Sequence, residues 1–185
     1  MSDERSRRST RLNLIAIATV ALLPFVGSYL LYWFWQPAEH INYGEIIAAP
    51  LSELQAAGAL PQLQGKWAFV MVDSGACDEW CQRKLYIMRQ VRLTQGKNMD
   101  RIERVWLLDD EVGPAPALLS EYAGTFVLQG PAPALLAKLP STGAVSDHIY
   151  LVDPLGNLVL RYPREADPTR IKKDLSRLLR ASRIG

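Results

Sequence analysis

Residues 67–84 read WAFVMVDSGACDEWCQRK. The first seven, Trp67 to Asp73, are apolar and rich in strand formers, the composition of a short strand buried on both faces. Directly behind them come Cys77 and Cys81, the two cysteines of a 185-residue chain. From Glu79 to about Thr94 the period changes. Leu85, Met88 and Val91 recur at intervals of three, with Arg83, Lys84, Arg89 and Arg92 between them, which predicts a helix. The cysteine pair therefore lies where a buried strand hands over to a helix. Free backbone N–H groups at a helix start favour a thiolate, and Arg83 and Lys84 add positive charge nearby.

Working outward, Gly96 and Asn98 stop the helix, and Arg104–Leu108 (RVWLL) reads as a second buried strand. Residues 115–123 suggest a short helix, 125–130 a short strand, and 131–139 a helix opened by prolines. His148 to Asp153 is a strand, Pro154–Asn157 a turn, and Asn157–Tyr162 alternates as the returning arm of a hairpin. The last helix starts with Asp167 as cap and Pro168 in the first turn. Its basic run carries an apolar stripe of Leu175, Leu178 and Leu179, the pattern of a packed helix with a solvated face; membrane-surface contact is the alternative. Strands alternating with helices and closing on a hairpin predict an α/β fold, a mixed sheet flanked by helices.

Hydrophobic residues make up 49% of the chain, and part of that excess sits in residues 12–35, which carry no charge. A bilayer core takes about 20 apolar residues as a helix, so this stretch predicts one transmembrane helix. Pro24 is tolerated in such a helix. Tyr29, Tyr32, Trp33, Phe34 and Trp35 form an aromatic belt at its far end. Arg5, Arg7, Arg8 and Arg11 precede the run, and the next basic residue after it is Lys66. That asymmetry predicts a cytoplasmic segment over 1–11, an anchor over 12–35, a juxtamembrane linker over 36–60 and an outer domain over 61–185. A cleaved signal peptide fits less well, because the apolar stretch is long and no small-x-small cleavage site follows it. Net charge is +2 with dispersed basic residues, which excludes a nucleic-acid footprint.

The cysteine pair admits three readings. A structural staple over so short a loop removes little entropy from the unfolded chain. An oxidising outer compartment lets a dithiol close to a disulfide and reopen, with Cys77, nearer the helix start, as the attacking thiol. Two thiolates also bind soft metals, Cu(I) above all. A third ligand would have to come from the two histidines. His40 falls just past the anchor, where a polar-tipped ring suits the membrane interface. His148 opens a strand whose preceding loop reaches the cysteine end of the sheet, so it either joins the thiols or caps the strand, paired with Asp147. Trp80, between the cysteines, is either a partner-facing contact or a packed aromatic.

The stretch LQGKWAFVMVDSGACDEWC, together with DHIYLVDPLGNLVLRY, resembles the Sco/SenC family. These are membrane-anchored, thioredoxin-like copper proteins of cytochrome c oxidase assembly. The resemblance spans residues 60–182 and the anchor. It implies a thioredoxin-like fold and a site of Cys77, Cys81 and His148, with Asp147 before the histidine and Asp153, Pro154 and Gly156 in the turn. It implies copper, as Cu(I) and also Cu(II), as the bound metal. A copper subunit of the oxidase is the implied protein partner. The anchor and its charges, separately, fit a bacterial inner membrane with the domain in the periplasm. CDEWCQ lacks the family's prolines, which marks a divergent member. The alternative function is an extracytoplasmic thiol-disulfide oxidoreductase using Cys77 and Cys81.

Overall fold

A computed structural model describes residues 2–34, 42–50, 65–129, 136 and 139–182. The chain divides into two compact units, 1–41 and 42–185. In the first, helix α1 (Ser2–Phe34) holds Pro24 within its length. Its segment Arg11–Phe34 has a mean hydropathy of 2.2, long and apolar enough to cross a membrane.

The second unit is built on six strands: β1 (Glu45–Pro50), β2 (Trp67–Asp73), β3 (Ile102–Leu108), β4 (Thr125–Leu128), β5 (Ile149–Val152) and β6 (Asn157–Tyr162). Their order across the sheet is β1-β6-β5-β2-β3-β4. β2, β3 and β4 run parallel, while β5 returns antiparallel against β2 and hairpins into β6. β2 thus has a partner on each edge. Alternation splits its side chains between two cores. Trp67, Phe69 and Met71 face helices α2 (Glu79–Leu93) and α4 (Pro168–Ala181). Ala68, Val70 and Val72 join Val105, Leu107, Tyr150, Val152 and Leu158 on the other side. This double burial is why the strand reads as a continuous apolar run.

Among the described residues the predicted strands and helices lie where the sequence puts them. Helix α3 (Pro116–Glu121) falls within the stretch expected to be helical. In α4, Asp167 caps through its carboxylate, which accepts the Thr169 N–H at 2.8 Å. Leu175 and Leu179 are buried in the α2-side core with Leu178 packed against it, so the basic face of α4 is the outer side of a packed helix. The helix expected over 131–139 lies largely outside the described residues.

The expected linker over 36–60 contains an element of the sheet. Glu45–Pro50 pairs antiparallel with β6 as an edge strand, and an entry clasp secures it. The carboxylate of Asp174, buried in α4, accepts the N–H groups of Tyr43 at 2.8 Å and Gly44 at 2.9 Å. Gly44 must be glycine, since a Cβ there would stand 2.8 Å from the Tyr162 ring. The Arg170 guanidinium lies 4.0 Å over the Tyr43 ring, and the Tyr43 hydroxyl accepts the Asp167 N–H. EIIAAP is short and lacks strict alternation, so its pairing comes from this tertiary clasp rather than from local pattern.

Replacing Asp174 with Ala strands two amide donors. Unfolding of the full chain in denaturant should show a loss of about 2–3 kcal/mol. Limited proteolysis within 42–50 should accelerate in parallel. Wild-type cleavage rates in the variant would show that the clasp does not hold β1.

Candidate thiol site

β2 ends at Asp73 and the chain turns directly into the cysteine segment. Cys77 and Cys81 are joined by a disulfide, with Cα atoms 5.1 Å apart. Both cysteines are buried, Cys81 fully and Cys77 at 4% exposure. Cys77 has φ +46°, the one non-glycine residue with positive φ among the described residues. For an L-residue that conformation costs about 1–2 kcal/mol, and such costs collect where function over-determines the backbone. It is held by the Cys77 N–H donating to Ser74 O at 3.1 Å and the Gln82 side-chain amide donating to Cys77 O at 3.2 Å.

The start of α2 differs from the expected cradle of free N–H groups. Asp78 is the N-cap, and its Oδ1 accepts the Cys81 N–H at 2.8 Å. An anionic cap between the two cysteines opposes the accumulation of a second negative charge there.

The turn before Cys77 is fixed from β3's end. The Asp110 carboxylate accepts the Ser74 hydroxyl at 2.5 Å and the N–H groups of Gly75 and Val112 at 3.1 Å each. The Ser74 hydroxyl and then the Gly75 amide hold Asp110 below the usual carboxylate range. Burial, then repulsion from Asp73 and Asp110, pushes Asp109 up. A Cβ on Gly75 would overlap the Val112 carbonyl at 1.7 Å, so this crossing needs glycine.

Lys84, read in the sequence as positive charge near the thiols, is completely buried. Its Nζ is 2.6 Å from Asp73 Oδ2 and donates to Val72 O at 2.9 Å and Ser146 O at 2.5 Å. Burial lowers its pKa, against the opposing pull of Asp73. The sequence did carry a signal: Cys81, Lys84, Met88 and Val91 follow helical spacing, which sets Lys84 in the inward stripe. Trp80 is half-buried, with the Arg164 guanidinium 5.5 Å from its ring centroid, and Arg164 in turn pairs with Asp147 at 3.1 Å. That bracket joins residues too distant in sequence for a pattern to reveal.

Register puts the His148 segment at the cysteine end, as the strand order implied. Met71 pairs with Ile149, so the next step sets His148 opposite Val72. The ring itself turns away from the cysteines. It stands edge-on to Tyr150 at 6.0 Å, and Tyr150 belongs to the core on the face opposite α2. Its Nδ1 donates to Tyr162 O at 3.1 Å, and its Nε2 accepts the Thr142 N–H at 3.3 Å. A carbonyl only accepts and an amide only donates, which fixes the Nδ1–H tautomer. Asp147, with its Arg164, is the residue of that loop on the cysteine side, paired with Arg164 rather than with His148. The structure therefore brings Cys77 and Cys81 together and leaves His148 buried on the other face. Among the described residues no group of three or more His, Cys, Asp or Glu side chains is arranged to hold a metal ion. His40 lies outside the described residues.

A mixed sheet flanked by helices, with a cysteine pair opening the first helix after a central strand, defines a thioredoxin-like domain. The model of the transmembrane-like, thioredoxin-like, C-terminal domain family matches residues 67–182, and the chain belongs to that family. No curated protein matches it in sequence. Among solved structures it is similar to apo Sco1 from Thermus thermophilus, with a TM-score of 0.52 at 18% identity over 76% of this chain and 99% of that one. It is similar to copper-bound yeast Sco1, with a TM-score of 0.51 at 17% identity over 78% of this chain and 96% of that one. Copper-bound ScoI from Arabidopsis thaliana gives a TM-score of 0.50 at 14% identity over 76% and 99%. These likenesses establish the fold, and the Sco/SenC resemblance is that of a divergent chain.

Asp78→Ala should separate stability from redox behaviour. Losing the cap costs about 1 kcal/mol of stability. Removing the anion and freeing the Cys81 N–H stabilises the reduced pair, so its reduction potential should rise. A fall in potential, measured against glutathione, would assign Asp78 a different part.

Proposed function

We propose that this chain is a single-pass membrane protein whose outer domain carries out thiol-disulfide exchange on a protein partner. One observation carries the reading: Cys77 and Cys81 form a disulfide at the strand–helix junction, directly behind the central strand. In the reduced state the Cys77 thiolate attacks one sulfur of a partner disulfide. A mixed disulfide forms and the partner's other sulfur leaves as a thiolate. Cys81 then loses its proton and attacks Cys77. The second partner sulfur is released, and the Cys77–Cys81 bond closes. The partner gains two electrons, the pair loses two, and a dithiol donor resets it. The arginines in the first turns of α1 and the aromatic belt at its far end support an inward amino terminus and a domain on the periplasmic side of a bacterial inner membrane. A cysteine-bearing copper subunit of an oxidase is a partner that suits such a position.

Copper handling is the second reading, supported by the Sco-type fold that this domain shares with copper-bound relatives. Here copper is cargo. Cys77 and Cys81 would hold Cu(I) as thiolates once the disulfide is reduced, and binding would weaken as pH falls. The buried ring of His148 would have to give up the Thr142 amide before its Nε2 could serve as a third donor.

The reduced full chain in detergent micelles distinguishes these readings. Exchange with a small disulfide should outpace free cysteine, and Cu(I) affinity should be unchanged by His148→Ala. A loss of about tenfold or more in Cu(I) affinity on that substitution would restore His148 as a ligand and favour delivery of copper. Exchange no faster than free cysteine would end the first reading.

A further inference from the structure

The ammonium of Lys84 is shared by three segments that carry the site. Val72 and Asp73 end the central strand, Lys84 itself rides on the cysteine helix three residues after Cys81, and Ser146 lies in the turn before β5. That turn is a single 3-10 loop, Val145–Asp147, closed by the Asp147 N–H donating to Ala144 O and the His148 N–H to Val145 O. Its other tie to the cysteine helix is external, through Asp147, Arg164 and Trp80, with Arg164 61% exposed. A buried ammonium is costly unless its charge is paired and its N–H groups find acceptors; here two carbonyls accept and the Asp73 carboxylate balances the charge. An apolar side chain would fill the same space more simply. What only the ammonium supplies is a directed bond from the helix to the Ser146 carbonyl.

We propose that Lys84 is a positioning residue for the Cys77–Cys81 pair: it holds the Val145–Asp147 turn against the cysteine helix, with Asp147 and Arg164 bracketing Trp80 and His148 kept on the far face. This rests on the thiol-exchange reading. With the tie cut, the polar link that remains between the turn and α2 among the described residues is the exposed Arg164 bracket. Access to Cys77 then rises, and access is one of the factors that limit exchange.

The test uses the full chain in micelles and a charge-balanced variant, Lys84→Met with Asp73→Asn. One cation and one anion are lost, so the net charge near the sulfurs is unchanged, and no buried carboxylate is left unpaired. Asp73→Asn alone is the control that keeps the bond to Ser146. Hydrogen exchange over 144–148 should speed up by about tenfold or more in the double variant and stay near wild type in the control. The His148 ring nitrogen signals should shift in the same variant alone. Exchange of the reduced pair with an uncharged disulfide should rise about tenfold in the double variant. The proposal is overturned if the turn stays protected in the double variant. It is equally overturned if the turn is released without a change in exchange rate, or if the control loses protection over 144–148 as the double variant does. Should reduced wild type exchange no faster than free cysteine, the thiol reading fails, while hydrogen exchange and the ring signals still report on the tie.

Discussion

Strand β2 has no free side. β3 and β5 take both of its edges, and two hydrophobic cores take its two faces. Seven residues are thereby fixed in register, in direction and in depth, and each large apolar side chain buried there contributes about 1.5–3 kcal/mol. Everything at the site hangs from the end of this strand. The polypeptide leaving Asp73 has little choice of where to go: Asp110 grips Ser74 and Gly75, and the Val112 carbonyl presses on Gly75. Cys77 is reached in a left-handed conformation because the turn between strand and helix allows little else. The rigidity of β2 is thus converted into a fixed place for one sulfur.

Much of this was legible in the sequence because it obeys short-range rules. An apolar run followed by three-residue periodicity gave the strand and the helix, and Asp167-Pro168 gave the start of α4. The cysteine pair announced itself by being the entire cysteine supply. Features set by tertiary contact were not legible. Glu45–Pro50 becomes a strand because Asp174, 130 residues away from Gly44, caps the backbone that leads into it. The side on which His148 points depends on strand parity, and the strand opens at Ile149, one residue beyond the histidine. A single step of register decides whether Asp147 or His148 faces the cysteine helix, and spacing alone carries no such information.

Polar groups near the sulfurs follow one logic, in which each joins segments of the chain. Asp78 closes the first turn of α2 on itself, Asp110 joins β3's end to the turn before Cys77, and Lys84 joins helix, strand and the turn before β5. Lys84 and Asp73 restrict the backbone while leaving little unbalanced charge in the interior. Such arrangements are seldom the most stable choice, since apolar residues of similar volume often serve as well. Their return is a single arrangement of the residues around a reactive pair.

That arrangement also bears on how one fold serves two chemistries. Holding a soft cation between thiolates and passing electrons between sulfurs both require two cysteines at a helix start, and they diverge at the third group. A donor imidazole on the α2 side would complete a metal site. A carboxylate engaged by arginine there, with the imidazole turned into the opposite core, leaves the sulfurs to react with each other and with a partner's sulfurs. In this chain Ser146 O is bonded to Lys84, and the His148 ring to Tyr162 O and the Thr142 amide; this is the geometry of the second arrangement, on which the proposed exchange function rests. Moving between them would take no new fold, only a one-residue shift in a turn of three residues. The bond from a buried lysine to a backbone carbonyl is the kind of interaction able to forbid that shift, because its partner is the chain itself and not a side chain that mutation could replace.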